Sequence, residues 1–378
     1  MSAPLEGIVV VALEQAISAP FATRQLADLG ATVIKVEPPE GDFARHYDHI
    51  VQGNSAFFVW SNRGKQSVTV DLSDPEQEGL LHALIAGADV FIHNISPEAA
   101  ARRGLDVDTL CAQHPSLIAC EVSGYGAGGP RSDDKAYDMA IQAEAGVFSV
   151  TGNGPDMSKV GFSVADIASA MYVLTSVLAA IVRRDRTGEG AAIKVAMLDA
   201  VAEWVSAPLY ATVYGGTQPA RTGRRHHAIA PYGTFMLSDG GILLIAVQSD
   251  REWRSMAEHL LLDSELGTDP RFATNSDRIA NVDELEPIIR EVLAAIPADE
   301  AVARLRAGRI AFSHVNDLQG VWNHPQLRAR GHFHDVDTEH GPVELLDPPF
   351  DISGMPLPLG RVPALGEHDP QVVRRITG

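Results

Sequence analysis

The sequence predicts an α/β fold: a large unit built on a mostly parallel sheet, with a smaller α+β unit joined to it. Three observations carry this. Short apolar runs rich in β-branched residues alternate with helical segments through the first half of the chain. The connections between them are short, as parallel strands covered by crossover helices require. Near residue 215 the pattern gives way to a Gly- and Arg-rich loop, followed by a hairpin signal and several helices.

Ile8-Val-Val-Val-Ala-Leu13 reads as a strand buried on both faces. Ser18 as N-cap and Pro20 in the first turn open a helical segment that runs to Leu29, with Gly30 as its stop. Ala31–Glu37 is the second strand, ended by Pro38-Pro39, which completes a βαβ unit. The pattern repeats with a strand over Val68–Leu72, a helix from about Pro75 to Ile85, and strands over Val90–Asn94 and Leu117–Ser123. Asp166 then stands at the head of a run that stays apolar or small through Met171, Val173, Leu174, Val177, Leu178, Ile181 and Val182 until Arg183-Arg184. That is a buried helix with an acid on its first turn, where unpaired N–H groups favour a carboxylate; read alone, Asp166 is an N-terminal cap. A strand over Ala192–Ala196 and a helix through Asp199, Trp204 and Leu209 complete the first half.

Tyr214–His227, dense in glycine and arginine, reads as a linker into the second unit. There, strands over Gly233–Leu237 and Ile242–Val247 flank Ser238-Asp-Gly-Gly241 as a hairpin. Helices follow near Glu252–Leu262, Val282–Ala295 and Asp299–Ala307. The tail from about Val321 carries Pro342, Pro348, Pro349, Pro356, Pro358 and Pro363. That density predicts an extended path over a surface, returning to the first unit.

The chain has 378 residues, 45% of them hydrophobic and 21% charged, enough for two cores. A net charge of −19 disfavours nucleic acid and anionic membrane as partners. An anionic ligand would need a local basic pocket. With Cys111 and Cys120 the only cysteines, neither a disulfide framework nor a cysteine metal site is expected, which fits a reducing cytoplasm. The N-terminus lacks a basic segment followed by an apolar one, and no uninterrupted apolar stretch reaches the length of a membrane span. The helix from Asp166 comes nearest, interrupted by Ser169, Tyr172, Thr175 and Ser176. Metal-ligand spacing is absent: His226-His227 are adjacent, and His324, His332, His334 and His340 lie in the irregular tail. The first strand is not followed by Gly-x-Gly-x-x-Gly, and Gly124-Tyr-Gly-Ala-Gly-Gly129 runs into Pro130, so it reads as a flexible loop and NAD binding is not expected. Gly-x-Ser-x-Gly and the Walker phosphate loop are also missing.

What remains is a set of polar residues at or near predicted strand ends: Lys65, Asn94, Arg102, Lys135, Tyr137, Asp138, Gln142 and Asp166. Singly, each reads as a solvated side chain or a cap. Together they come from βα connections that open on one edge of a parallel sheet, where ligands sit.

Ala19-Pro20, Leu26–Glu37, Gly41-Asp42, Asn62-Arg-Gly-Lys65, Asp89–Asn94, Gly124-Tyr-Gly126, Tyr137-Asp138 and Ala196–Val201, in this order and over essentially the whole chain, resemble the class III CoA-transferase family, which includes formyl-CoA transferase. The resemblance implies a Rossmann-like large domain made of residues 1–215 with 325–378, a small domain of residues 216–324, and a homodimer whose two subunits interlock like rings. It puts the nucleophilic aspartate on Asp166 and the CoA contacts on Lys65, Asn94, Arg102, Lys135 and Tyr137. Coenzyme A thioesters and a small carboxylic acid would be the substrates, with no tightly bound cofactor and no metal. Tyr137 and Gln142 are candidates for holding the carboxylate or thioester, with ordinary core hydrogen bonding as the alternative. Asp166 would need no raised pKa, since a nucleophile must be ionised and a helix N-terminus suits that.

The stretch Val11–Gln25 is similar to transferases acting on C5 dicarboxylates such as itaconate, mesaconate or citramalate with succinyl-CoA. Arg225 and His227 in Arg224-Arg225-His226-His227, or else Arg24 or Arg45, would hold the second carboxylate of such an acid; a solvated linker is the alternative. The related α-methylacyl-CoA racemases use a His-Asp pair where this chain has Tyr137-Asp138, and a glutamate where Ser249 aligns, so both racemase bases are missing. A catalytically silent CoA-binding protein is the third reading. Against formyl-CoA transferase, Ile17 replaces a glutamine, Pro38 replaces a basic residue, and the glycine-rich loop of the small domain has no counterpart.

Overall fold

A computed structural model describes residues 2–355 and 357–369. The chain divides into two compact units. Unit 1 holds Met1–Val147, Lys159–Leu209 and the chain from Leu327 onward; unit 2 holds Phe148–Ser158 and Tyr210–Gln326. The boundaries therefore fall a few residues from 215 and 325. The excursion Phe148–Ser158 also leaves the large unit: Gly152–Asn153 pairs with Asp156–Met157, Asn153 bridges to Thr222, and Gly223 donates its N–H to Gly152 at 2.9 Å.

Unit 1 is organised by a six-stranded, wholly parallel sheet. Its strands are β1 (Val9–Leu13), β2 (Thr32–Glu37), β3 (Lys65–Thr69), β4 (Val90–His93), β5 (Ile118–Ser123) and β6 (Ala191–Ala196), in the order β3-β2-β1-β4-β5-β6. The order reverses between β1 and β4, so a crevice opens beyond their carboxyl ends, the place where α/β sheets take ligands. Val10 faces one core with Leu26, Ala168 and Val173, while Val11 and Leu13 face another with Leu81 and Leu84. This two-sided burial is why β1 reads as a continuous apolar run.

β3 begins at Lys65, not at Val68 as the hydrophobic pattern suggests. Lys65 and Ser67 lie buried in the strand because Glu14 and Glu37 supply their hydrogen-bond partners. The long helix Val164–Thr187 packs Ala165, Ala168, Val173 and Val177 into the core and ends at Gly188, whose φ of 76° makes the left-handed C-cap. By length and composition it could cross a membrane, contrary to the expectation from its polar interruptions. The Ser169, Thr175 and Ser176 hydroxyls turn back onto carbonyls four residues earlier, at 2.9, 2.7 and 2.7 Å, and leave the helix intact. In this fold it is a core helix.

The tail does not run extended throughout. Phe333–Thr338 and Gly341–Leu346 form an antiparallel hairpin, with Pro342 opposite Asp337 in a two-stranded sheet that tolerates a missing donor. After Leu346 the chain is irregular and reaches the β3 side, where Gly64 N–H bonds the Arg361 carbonyl and His368 N–H the Ser67 carbonyl. Pro356 and the residues after Asp369 lie outside the described residues.

Unit 2 has a three-stranded antiparallel sheet in which Ile242–Ala246 lies between Tyr232–Met236 and Ala311–His314. Trp253, Phe272, Leu285, Ile289 and Leu293 fill its core.

Candidate active site

Asp166 sits on the first turn of the long helix, half-buried, yet it is not the cap. Ser163, at the N-cap position, makes no side-chain capping bond. The cap comes from 27 residues away in sequence: Asp138 Oδ1 accepts the Ala165 N–H at 2.8 Å. Asp138 Oδ2 accepts from Gln142 Nε2 at 2.7 Å, and Gln142 Oε1 accepts the Val160 N–H at 2.9 Å. Among the described residues, none makes a hydrogen bond or ion pair with the Asp166 carboxylate. Burial first, and the neighbouring Asp138 charge second, push its pKa up to about 7. This corrects the expectation of an acid kept ionised by the helix end.

Asp166 lines a cavity of about 680 Å³ at the carboxyl edge of the sheet, which takes in the β1–β4 crevice. Asn94, Lys135, Tyr137 and Asp138 line it too, so five of the sequence-derived residues share one space. Lys135 and Tyr137 are exposed there. Asn94 braces the turn after β1: Asn94 Oδ1 accepts the Gln15 N–H at 3.0 Å, and Asn94 Nδ2 donates to the Gln15 carbonyl at 2.8 Å and to Ser18 Oγ at 3.2 Å.

That turn is strained and held from both sides. Ala16 has a φ of 61°, uncommon for a residue with a Cβ, and donates its N–H to Asp42 Oδ1 at 3.1 Å. Asp42 is in turn held by Lys35 at 2.9 Å. Beyond the turn, Ile17 gives the helix Ser18–Asp28 no side-chain cap, so its uncapped first turn opens on the cavity that Ile17 and Ser18 line. Phe43, Tyr47 and Phe57 form an aromatic wall, with Tyr47 edge-on to Phe57 at 5.3 Å. The Tyr47 hydroxyl has a raised pKa, from burial and then from Asp42, Asp166 and Tyr137. A second cavity of about 430 Å³, over the ends of β1, β2 and β3, shares Gln15, Phe43 and Ile95 with the first. The two together suit a long ligand.

The other candidates lie elsewhere. Lys65 is enclosed: its ammonium contacts Glu14 at 2.6 Å, the Pro20 carbonyl at 2.9 Å and Asn62 Oδ1 at 2.9 Å, and burial pushes its pKa down to about 7. Arg102 is exposed, pairs with Glu98 one turn earlier, and does not line the cavity. Gln142 is fully buried and holds Asp138, not a ligand. Arg24 is buried against Asp28 at 2.9 Å, an acid that also takes Arg63; desolvation lowers its pKa to about 10. Arg45 grips Glu37 through two nitrogens, at 2.8 and 2.7 Å, and stacks 3.7 Å over Phe58. Neither arginine lines the cavity, because buried carboxylates already take their guanidinium groups. Arg225 and His227 line a cavity of about 370 Å³ in unit 2, where Arg225 lies 4.0 Å from Glu286 and His227 stacks on His226 at 4.8 Å. Ser249 caps the helix Asp250–His259 through the Glu252 N–H. Tyr47 and Ser163 escape sequence reasoning; Ser18, expected as the N-cap, is instead the first helical residue, with Ile17 at the cap position.

The family model of CoA-transferase family III matches residues 5–369. A succinate–glutarate CoA-transferase of Agrobacterium fabrum is 34% identical, covering 99% of this chain and 96% of its own length. An acetyl-CoA:oxalate CoA-transferase of Acetobacter aceti is 32% identical over 93% and 90%. Among solved structures, a CaiB/BaiF family protein from Brucella suis superposes with a TM-score of 0.88 at 34% identity, covering both chains fully.

Proposed function

Because this chain belongs to CoA-transferase family III, we propose that Asp166 carries CoA from succinyl-CoA to a C5 dicarboxylate such as itaconate or mesaconate. The observation behind this reading is the unpaired Asp166 carboxylate in a cavity at the carboxyl edge of the sheet, beside Asn94, Lys135 and Tyr137.

Each step exchanges one acyl bond for another. An Asp166 oxygen attacks the thioester carbonyl; a C–O bond forms, the C–S bond breaks, and CoA leaves as the thiolate. The thiolate attacks the Asp166 carbonyl of the mixed anhydride, giving an aspartyl-CoA thioester and free succinate. The acceptor carboxylate displaces CoA to form a second anhydride. Thiolate attack on the acceptor carbonyl then releases the new acyl-CoA and restores Asp166. Each tetrahedral intermediate carries an oxyanion, and the uncapped first turn at Ile17 and Ser18 offers N–H donors on the cavity wall. Lys135 is the cation that lines the cavity among the residues proposed to meet CoA, and the adjoining space beyond Gln15 and Ile95 accommodates the rest of an elongated thioester.

The acceptor is a dicarboxylate in this reading because the relatives' names pair succinate with glutarate and acetyl-CoA with oxalate. Arg24 and Arg45 are engaged internally and are not free to hold its second carboxylate. In the same reading the protein works in the cytoplasm as a homodimer of interlocked subunits; light scattering on the purified protein tests the dimer. A racemase reading lacks its bases, with Tyr137-Asp138 in place of His-Asp and Ser249 serving as a cap. Incubation with succinyl-CoA and a panel of oxalate, glutarate, itaconate, mesaconate and citramalate, with chromatography of the acyl-CoA products, decides the matter. Product with the C5 acids supports the proposal. Exchange of an α-proton with solvent deuterium, without any new acyl-CoA, would replace it with a racemase.

A further inference from the structure

The entry to the long helix holds two carboxylates and one cap. Asp138, on the helix Asp138–Glu144, takes the Ala165 N–H at 2.8 Å, while Ser163 contributes no capping bond. Gln142, fully buried one turn further along the same helix, donates to the second Asp138 oxygen at 2.7 Å. Its own carbonyl oxygen takes the Val160 N–H at 2.9 Å, and its amide also approaches the Phe162 carbonyl at 3.5 Å. The run Val160–Gln142–Asp138–Ala165 therefore ties the segment entering the helix to its first turn, and every donor in it meets an acceptor. An amide at 138 alone would set two NH₂ groups face to face.

A helix N-terminus ordinarily stabilises a carboxylate on its first turn. Here the Ala165 N–H is spent on Asp138. We propose that Asp138, oriented by Gln142, is a positioning residue for acyl transfer: it fixes the first turn of the helix and takes the cap in place of Asp166, which leaves the Asp166 carboxylate unpaired and reactive. The inference rests on Asp166 being the nucleophile of the proposed transfer.

Charge and geometry act together in this arrangement. Burial and then the Asp138 charge raise the Asp166 pKa to about 7. The other titratable groups facing this space are Tyr47 and Tyr137, with Lys135, Asp133 and Asp134 along the cavity wall, and none is hydrogen-bonded to Asp166. A more basic carboxylate is the better nucleophile once ionised, in line with Brønsted behaviour.

The test separates charge from geometry by swapping the two side chains. Asp138→Asn breaks the donor–acceptor order; Asp138→Asn with Gln142→Glu restores the bonds to Val160 and Ala165 and the one between the two side chains, gives up the 3.5 Å approach to the Phe162 carbonyl, and moves the negative charge one side chain away from the helix end. The readout is kcat/KM for succinyl-CoA against pH, from chromatography of the new acyl-CoA. Wild type rises to a plateau through an inflection set by Asp166. Asp138→Asn loses on the order of 100-fold at the plateau through misplacement. The swap recovers most of that loss, while its inflection stays below wild type. A swap that restores the wild-type inflection along with the rate overturns the charge role; Asp138→Asn with wild-type rate and inflection overturns the whole inference. Should Asp138→Asn not fold, Gln142→Met keeps the charge and cuts the brace: the expected result is a wild-type inflection with a lower plateau, and an unchanged plateau refutes the bracing. Transfer activity in Asp166→Asn, or none in wild type with any dicarboxylate, refutes instead the reading beneath it.

Discussion

Asp166→Asn should make the protein more stable, and increasingly so as pH rises. In the folded chain the carboxyl has a pKa of about 7, against an ordinary value of 3.8. A folded pKa above the unfolded one contributes stability that is complete below the unfolded value and lost as pH rises through the folded value. At about 1.36 kcal/mol per unit, ionising Asp166 costs the fold about 4 kcal/mol by pH 8 and about 1.7 kcal/mol at pH 5. Asparagine carries no such cost, so its advantage should grow by about 2.5 kcal/mol between the two pH values; solvent reaching the half-buried carboxylate makes this a ceiling. At roughly 2–4 °C per kcal/mol, the Tm difference widens by several degrees. Scanning calorimetry of both proteins at pH 5 and pH 8 reads it, taking the transition of unit 1. A wild type that is the more stable protein at pH 8 would show a carboxylate acting as a stabilising helix cap, and the reasoning fails.

Three further outcomes follow from the same geometry. Among the described residues none partners either ring nitrogen of buried His93, and desolvation lowers its pKa to about 4, so the native state loses stability as pH falls from about 6.5 toward 4; His93→Leu should recover about 2–3 kcal/mol near pH 4.5 in urea denaturation, and equal acid sensitivity contradicts this. Lys65→Met should cost about 3–5 kcal/mol of stability, because Glu14 would lose its 2.6 Å partner in the core; a raised KM for acyl-CoA with unchanged stability would instead make Lys65 a ligand contact. Asn94→Ala removes the brace on the Gln15–Ser18 turn and should lower kcat by about tenfold or more with a small change in Tm, whereas an effect on KM alone points to direct ligand contact.

The strands of the parallel sheet were legible because burial on both faces leaves a continuous apolar run, as in Val9–Leu13 and Val90–His93. β3 was displaced because Lys65 and Ser67 look solvent-facing until Glu14 and Glu37, distant in sequence, are brought beside them. The same physics hid the fate of Arg24 and Arg45, whose buried carboxylate partners no local pattern announces. Ala311–His314 escaped because Ala-Phe-Ser-His carries little strand signal and gains its place by pairing with Ile242–Ala246. At the site, Asp166 was visible as an acid heading an apolar helix. Its chemistry was misjudged because the cap that frees it, Asp138, belongs to another helix.

The central claim is a covalent intermediate on one carboxylate. Hydroxylamine added during turnover of succinyl-CoA with a C5 dicarboxylate should convert Asp166 to a hydroxamate, seen by peptide mass spectrometry and dependent on the donor. Undiminished transfer with Asp166 unlabelled, or full transfer by Asp166→Ala, would contradict the account.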